Sequence, residues 1–143
     1  MVPHEETFKG GNQMSVELSM LMWSGVLLLV LILASAVATD KVMGFAWGIS
    51  NRDEVPTLEG WTARLARTSK NHLENTVIFG AIALPVSVAG ISTEITVLGA
   101  QIFLGARLVH AVTYITGITF LSIRSVAYFV GLAGTVMVLI PAL

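Results

Sequence analysis

The chain consists of long apolar blocks separated by short polar segments, without the two-residue alternation that is typical of half-buried strands. The first block, residues 18–39, is uncharged and rich in Leu and Val. Later blocks predict spans at 62–89, 95–115 and 124–143, and a polar loop at 40–60 separates the first two spans. Since a helix needs roughly 20 apolar residues to cross a bilayer, the pattern predicts an all-α integral membrane protein with a four-helix transmembrane bundle.

Composition narrows the class of protein further. Hydrophobic residues make up 55% of the 143 residues, so the four spans use most of the chain and predict a single membrane domain over 1–143. A formal charge of −1 excludes the cationic surface that nucleic-acid binding requires. The chain has no cysteine, so any thiol chemistry must use the thiol of a ligand.

The cations are unevenly distributed between the connections. Lys9 lies near the amino terminus, and none lies near Glu94 in the second connection. Six surround the first and third connections: Lys41, Arg52, Arg64, Arg67, Lys70 and Arg124. The positive-inside rule therefore predicts cytoplasmic basic connections, with both termini on the opposite side of the membrane.

Five polar residues share one face at the start of the second predicted span: Arg64, Arg67, Lys70, Asn71 and Glu74. At about 100° per residue they fall within an arc of roughly 120°, whereas His72 and Leu73 point elsewhere. A basic patch on anionic head groups explains the cations, but a negative surface would repel Glu74. The alternatives are that this face lines a polar cavity, or that Glu74 forms a structural salt bridge.

The third predicted span carries Arg107, His110 and Tyr114 at positions i, i+3 and i+7, within an arc of roughly 60°. An arginine inside a span is expected to face the bundle interior or a polar cavity, and Glu74 is the predicted counter-ion of Arg107. The alternative is that this pair only fixes helix packing. His110 has no acidic or histidine neighbour at ligand spacing, so no metal site is predicted.

Arg124, Ser125 and Tyr128 form a third group, where the last connection enters the fourth span. Taken singly, a serine here is a helix cap and an arginine at a membrane edge extends to the head groups. Because all three groups lie on one predicted side of the membrane, together they favour a shared pocket for an anionic ligand.

The motifs "RLARTSKNHLEN", "ARLVHAVTY" and "IRSVAY" together resemble the MAPEG family, the membrane-associated proteins in eicosanoid and glutathione metabolism. The resemblance covers residues 51–143, and "SNRDEVPTLEGW" is most similar to the uncharacterised bacterial branch. It implies a homotrimer in a bacterial inner membrane, with glutathione, or another low-molecular-weight thiol, held between subunits near the cytoplasmic face.

The resemblance also implies roles for single residues. Contacts with glutathione would come from Arg67, Lys70, Asn71, Glu74, Arg107, His110 and Tyr114. Arg124 would stabilise the thiolate, with Ser125 or Tyr114 as hydrogen-bond donor, and Tyr128 stands beside them as a further binding candidate. Lys70 occupies a position where many members have arginine, so a point charge replaces a planar fork. A basic residue of the first helix is missing, and Lys41 or Arg52 is the candidate to replace it.

Three functions are compatible with these residues. The first is a glutathione-dependent transferase or peroxidase that acts on hydrophobic electrophiles arriving from the bilayer. The second is a non-catalytic membrane subunit with a structural or partner-binding role, for which Gly99, Gly105, Gly131 and Gly134 would allow close helix contacts. The third is a small channel or transporter lined by Arg107 and Glu74, which the one-sided distribution of the charges disfavours.

Overall fold

A computed structural model describes residues 14–143, apart from the side chain of Leu121. Its α-helices are α1 (Val16–Met43), α2 (Phe45–Gly48), α3 (Gly60–Val88), α4 (Glu94–Thr116) and α5 (Ile123–Leu139). Two 3₁₀ turns, Phe120–Ser122 and Ile140–Ala142, precede and follow α5. Lys9, which entered the charge count, lies outside the described residues.

Three helical segments are long and apolar enough to cross a membrane: Val16–Met43, Glu94–Thr116 and Ile123–Ala142. The prediction of an all-helical membrane protein is therefore confirmed. Helix α3 has 29 residues, enough to cross a bilayer by length alone, but its first half carries the predicted polar face and lowers its mean hydropathy. The count of four spans stays a prediction.

The interior of the bundle is built on one aromatic stack. The rings of Phe79 and Phe103 lie parallel, with centroids 4.0 Å apart, and join α3 to α4. Small and branched residues from α3, α4 and α5 surround the stack: Ala83, Val86, Ala100 and Val138. Phe79 lies in the second half of α3, beyond the polar residues of its first half.

Helices α4 and α5 approach each other closely at two glycines. A Cβ atom built on Gly99 would lie 2.7 Å from the carbonyl oxygen of Gly134, and one built on Gly134 would lie 2.6 Å from the carbonyl oxygen of Gly99. Only glycine allows this distance, because any side chain would overlap the facing backbone. The contact holds the two helices side by side and fixes where α5 starts relative to the end of α4.

Helix α4 ends at Thr116 and is capped by Gly117, which adopts the left-handed conformation with φ +77°. The backbone N–H of Ile118 donates to the carbonyl of Thr113, and that of Gly117 donates to Tyr114. This arrangement closes the last turn of the helix and reverses the chain. The short connection that follows places Arg124 and Ser125, in the first turn of α5, beside Tyr114.

Candidate functional site

Tyr114 lies at the centre of the polar end of the bundle. Its hydroxyl accepts a hydrogen bond of 2.9 Å from Nε of Arg67, on α3. The guanidinium carbon of Arg124, on α5, lies 4.6 Å from the centroid of the Tyr114 ring, within the range of a cation–π contact. The fold thus brings together one residue from each of the three motifs that the sequence singled out.

Two cavities open beside Tyr114. The Asn71 cavity, of about 350 Å³, is lined by Asn71, His110, Tyr114, Arg124, Ser125, Tyr128 and Phe129. The Arg64 cavity, of about 300 Å³, is lined by Arg64, Thr113, Tyr114, Gly117, Ile118, Thr119, Ser122, Arg124 and Ser125. Tyr114, Arg124 and Ser125 line both cavities, and we call these three residues the shared wall.

Arg107 is buried behind the Asn71 cavity, with 1% of its surface exposed. Its Nη2 donates to Oδ1 of Asn71 at 2.7 Å, and its Nε donates to Nδ1 of His72 at 3.3 Å. Its Nη1 has no hydrogen-bond partner among residues 14–143. The guanidinium therefore fixes the amide of Asn71, which lines the cavity directly.

The predicted pairing of Arg107 with Glu74 is wrong. The partners of Arg107 in the described chain are Asn71 and His72, and the Glu74 side chain is exposed. The reason is geometric: α3 turns the side between Asn71 and His72 toward Arg107, and Glu74 points about 110° away from that direction and lies further along the helix. Glu74 therefore lies on the outer surface of the protomer.

His72 is the residue that the sequence analysis missed. It is fully buried, and its Nε2 lies 3.0 Å from the carbonyl oxygen of Ser24, on α1. Because Nδ1 accepts from Arg107, the ring proton is on Nε2 and is donated to Ser24. The hydroxyls of Ser24 and Thr76 lie 2.9 Å apart and extend the network. The sequence did contain a signal for His72, because it is a polar residue on the apolar side of a membrane helix.

Arg67, Lys70 and Glu74 form an exposed polar face on α3. Arg67 contacts Tyr114, whereas Lys70 and Glu74 line neither cavity. Arg52 binds within its own loop, where its guanidinium donates to the carbonyl of Gly48 and lies over Trp47. Neither Arg52 nor Lys41 lines either cavity within one protomer.

Aromatic rings form the inner side of the Asn71 cavity. His110 is buried and meets Tyr114 edge to face, with ring centroids 5.6 Å apart, and its ring centroid lies 6.5 Å from that of Tyr128. Its Nδ1 has no hydrogen-bond partner in the described part of the chain. Across residues 14–143 no group of three or more His, Cys, Asp or Glu side chains is placed to hold a metal ion. The cavity therefore offers aromatic surface and nitrogen atoms.

These features define a helical membrane protein with a cationic, tyrosine-centred pocket at one end of the bundle. The MAPEG family model matches residues 20–143, and the chain belongs to that family. The chain is 34% identical to microsomal glutathione S-transferase 1 from Mus musculus over 92 residues, which cover 64% of this chain and 58% of that relative. No solved structure matches the chain. The resemblance inferred from the three motifs is confirmed.

Proposed function

We propose that this MAPEG member is a membrane-embedded glutathione-dependent transferase or peroxidase. Its bound cosubstrate is glutathione or another low-molecular-weight thiol, which it activates to attack a lipophilic electrophile. The observation that carries the proposal is the shared wall, because Tyr114, Arg124 and Ser125 line two cavities at once. Membership in the family and similarity to a protein named as a glutathione S-transferase support the same chemistry.

The Asn71 cavity is the side that receives the thiol. Glutathione has two carboxylates, one ammonium and several amides, so it needs cations, one anion and neutral polar partners. Asn71 and Tyr128 supply polar groups, and within residues 14–143 one nitrogen each of the buried Arg107 and His110 has no hydrogen-bond partner. Those two nitrogens favour a polar ligand, since an unpaired buried polar atom is costly.

The charged partners lie outside that cavity, on the exposed face of α3. We assign Arg67 and Lys70 to the carboxylates of glutathione and Glu74 to its ammonium. Since this face is exposed in one protomer, the site is completed when a second protomer packs beside it. A homotrimer of four-span subunits provides such contacts, with α3 as the fourth span and its polar face lining a protein cavity rather than lipid.

The shared wall supplies the activating groups. The guanidinium of Arg124 stabilises a thiolate by charge. The Tyr114 oxygen accepts from Arg67, and within residues 14–143 its own proton has no acceptor, so it can be donated to sulfur or to the substrate, with Ser125 as a second donor. With an aryl chloride, a carbon–sulfur bond forms and chloride leaves. With a hydroperoxide, sulfur attacks the terminal oxygen and the O–O bond breaks, which gives a sulfenic acid and an alkoxide that takes a proton. A second thiol then displaces water from the sulfenic acid and forms the disulfide.

The proposed setting is a bacterial inner membrane, with the basic connections in the cytoplasm and both termini on the other side. The thiol would then enter from the cytoplasm, and the electrophile would arrive from the bilayer.

The non-catalytic alternative relies on small residues for partner contacts. Gly99 and Gly134 are already used between α4 and α5, and Gly131 packs against Arg107, so only Gly105 of the four faces open space.

Turnover of the purified protein tests the proposal. We expect glutathione-dependent loss of a chlorodinitrobenzene or of a lipid hydroperoxide, saturable in glutathione. Tyr114→Phe should lower kcat by roughly 100-fold, because one donor to developing charge is removed. Absence of turnover with both substrates, together with no protection against heat by glutathione, would favour the non-catalytic subunit.

A further inference from the structure

We propose that the Arg64 cavity binds the electrophile, and that Arg64 selects electrophiles that carry a carboxylate. This inference rests on the proposed function, because it requires a thiolate at the shared wall. It adds a second binding site with its own specificity-determining residue. From the sequence, Arg64 belongs to the polar face of α3, but no ligand contact was assigned to it.

The wall that the two cavities share indicates which reactant each cavity binds. Both cavities reach Tyr114, Arg124 and Ser125, and each also has a separate lining of its own. A thiol in the Asn71 cavity and a second molecule in the Arg64 cavity would therefore meet at the shared wall. A transfer reaction needs its reacting atoms within roughly 3–3.5 Å of each other, which this arrangement permits.

Arg64 is held in place by two contacts. Its Nε donates to the carbonyl oxygen of Ile115, in the last turn of α4, at 3.0 Å. Its guanidinium lies against Gly117, where an added Cβ would be 3.2 Å from the guanidinium carbon. Gly117 therefore provides the space in which the guanidinium lies. Among residues 14–143 no hydrogen bond joins the two terminal nitrogens of Arg64 to the protein, so both are free for a ligand.

The chemistry of the lining favours an anion. The Arg64 cavity is lined by two arginines, Arg64 and Arg124, and by five hydroxyl residues that include Thr119 and Ser122, but its described lining contains no carboxylate. Arg124 lies against the ring of Tyr114, whereas Arg64 is set back at the Gly117 turn. A planar guanidinium with two free terminal nitrogens matches a carboxylate. We therefore assign Arg64 to the acid group and Arg124 to the thiolate.

A matched pair of substrates tests this assignment: an α,β-unsaturated ketone that carries a carboxylate, and its methyl ester. The thiolate adds to the β-carbon, a carbon–sulfur bond forms as the π bond breaks, and the enolate takes a proton at its α-carbon. We expect the wild-type protein to prefer the acid. Arg64→Gln should lower the acid-to-ester ratio of kcat/KM by roughly tenfold or more, the usual effect of one hydrogen bond to a charged group.

Two further variants control for fold and charge. Arg64→Lys keeps the charge and should retain part of the acid preference. Glu94→Gln removes a charge in the first turn of α4, which lines neither cavity, and it should keep the wild-type ratio. If Arg64→Gln leaves the ratio unchanged while the protein turns over both substrates, the electrophile assignment is wrong and the proposed function stands. If wild type forms no thiolate and turns over neither substrate, the proposed function itself fails.

A phospholipid phosphate is the other source of an anion at this membrane edge. The assay is therefore repeated in neutral detergent micelles with added phosphatidylglycerol. If this lipid abolishes the acid preference of wild type, the cavity holds a head group and the electrophile assignment is overturned. Equilibrium binding of a saturated fatty acid and of its methyl ester gives a readout that does not depend on turnover. If Arg64→Gln binds the fatty acid as tightly as wild type does, the electrophile assignment is also overturned.

Discussion

Helix α3 has polar side chains on two sides, and their environments differ. On one side His72 is fully buried, with both ring nitrogens paired to α1 and α4. On the other side Lys70 and Glu74 are exposed, and Arg67 is exposed although it contacts Tyr114. The buried side joins helices within one protomer. The exposed side is open to a ligand or a neighbouring subunit, so the two sides should respond differently to mutation.

The largest expected effect is on the buried side. Arg107→Ala removes the donor to Asn71 and His72 and leaves the buried Nδ1 of His72 and the part-buried Oδ1 of Asn71 without a donor, which should lower the free energy of unfolding by about 3 kcal/mol. Unfolding in detergent, followed by circular dichroism against denaturant concentration, measures the change. Arg67→Ala is the matched control and should cost less than about 1 kcal/mol, because its hydrogen bond is exposed. Equal losses of stability in the two variants would contradict the distinction between a buried and an exposed side of α3.

On the exposed side, Glu74→Gln should leave stability within about 0.5 kcal/mol of wild type, since the side chain is exposed. Glutathione affinity should fall by roughly tenfold or more, because the proposed partner of the ammonium loses its charge. Isothermal titration calorimetry measures the affinity, and denaturation measures stability. Unchanged affinity would remove Glu74 from the site.

At His72 we expect a loss of stability that is smaller than the loss in Arg107→Ala. His72→Ala should cost about 1–2 kcal/mol, because Nε of Arg107 and the carbonyl of Ser24 both lose a partner. His72→Gln should recover part of this loss, since an amide can accept from Arg107 and donate to Ser24. The same denaturation assay compares the variants. A glutamine variant no better than alanine would show that the ring contributes by packing alone.

Sequence alone predicted much of the fold and the membership in the family. Uncharged blocks separated by charged connections predicted helical membrane segments, and the order of three polar motifs led to MAPEG. The site was harder to predict than the fold. A helical wheel gives the angles between the side chains of one helix, but it does not show on which side the neighbouring helices lie. Packing turned His72 rather than Glu74 toward Arg107, which explains the wrong counter-ion. The cavity at Arg64 depends on Gly117 and on the connection to α5, which no single motif contains.

The central claim is that the shared wall stabilises a thiolate, and the ultraviolet absorbance of the thiolate tests it most directly. Glutathione is titrated into the detergent-purified protein at neutral pH, with Arg124→Ala in parallel. We predict a saturable thiolate band in wild type that is lost in Arg124→Ala, although the variant still binds glutathione. A band of equal size in both proteins, or no band in wild type at saturating glutathione, would contradict the role of Arg124.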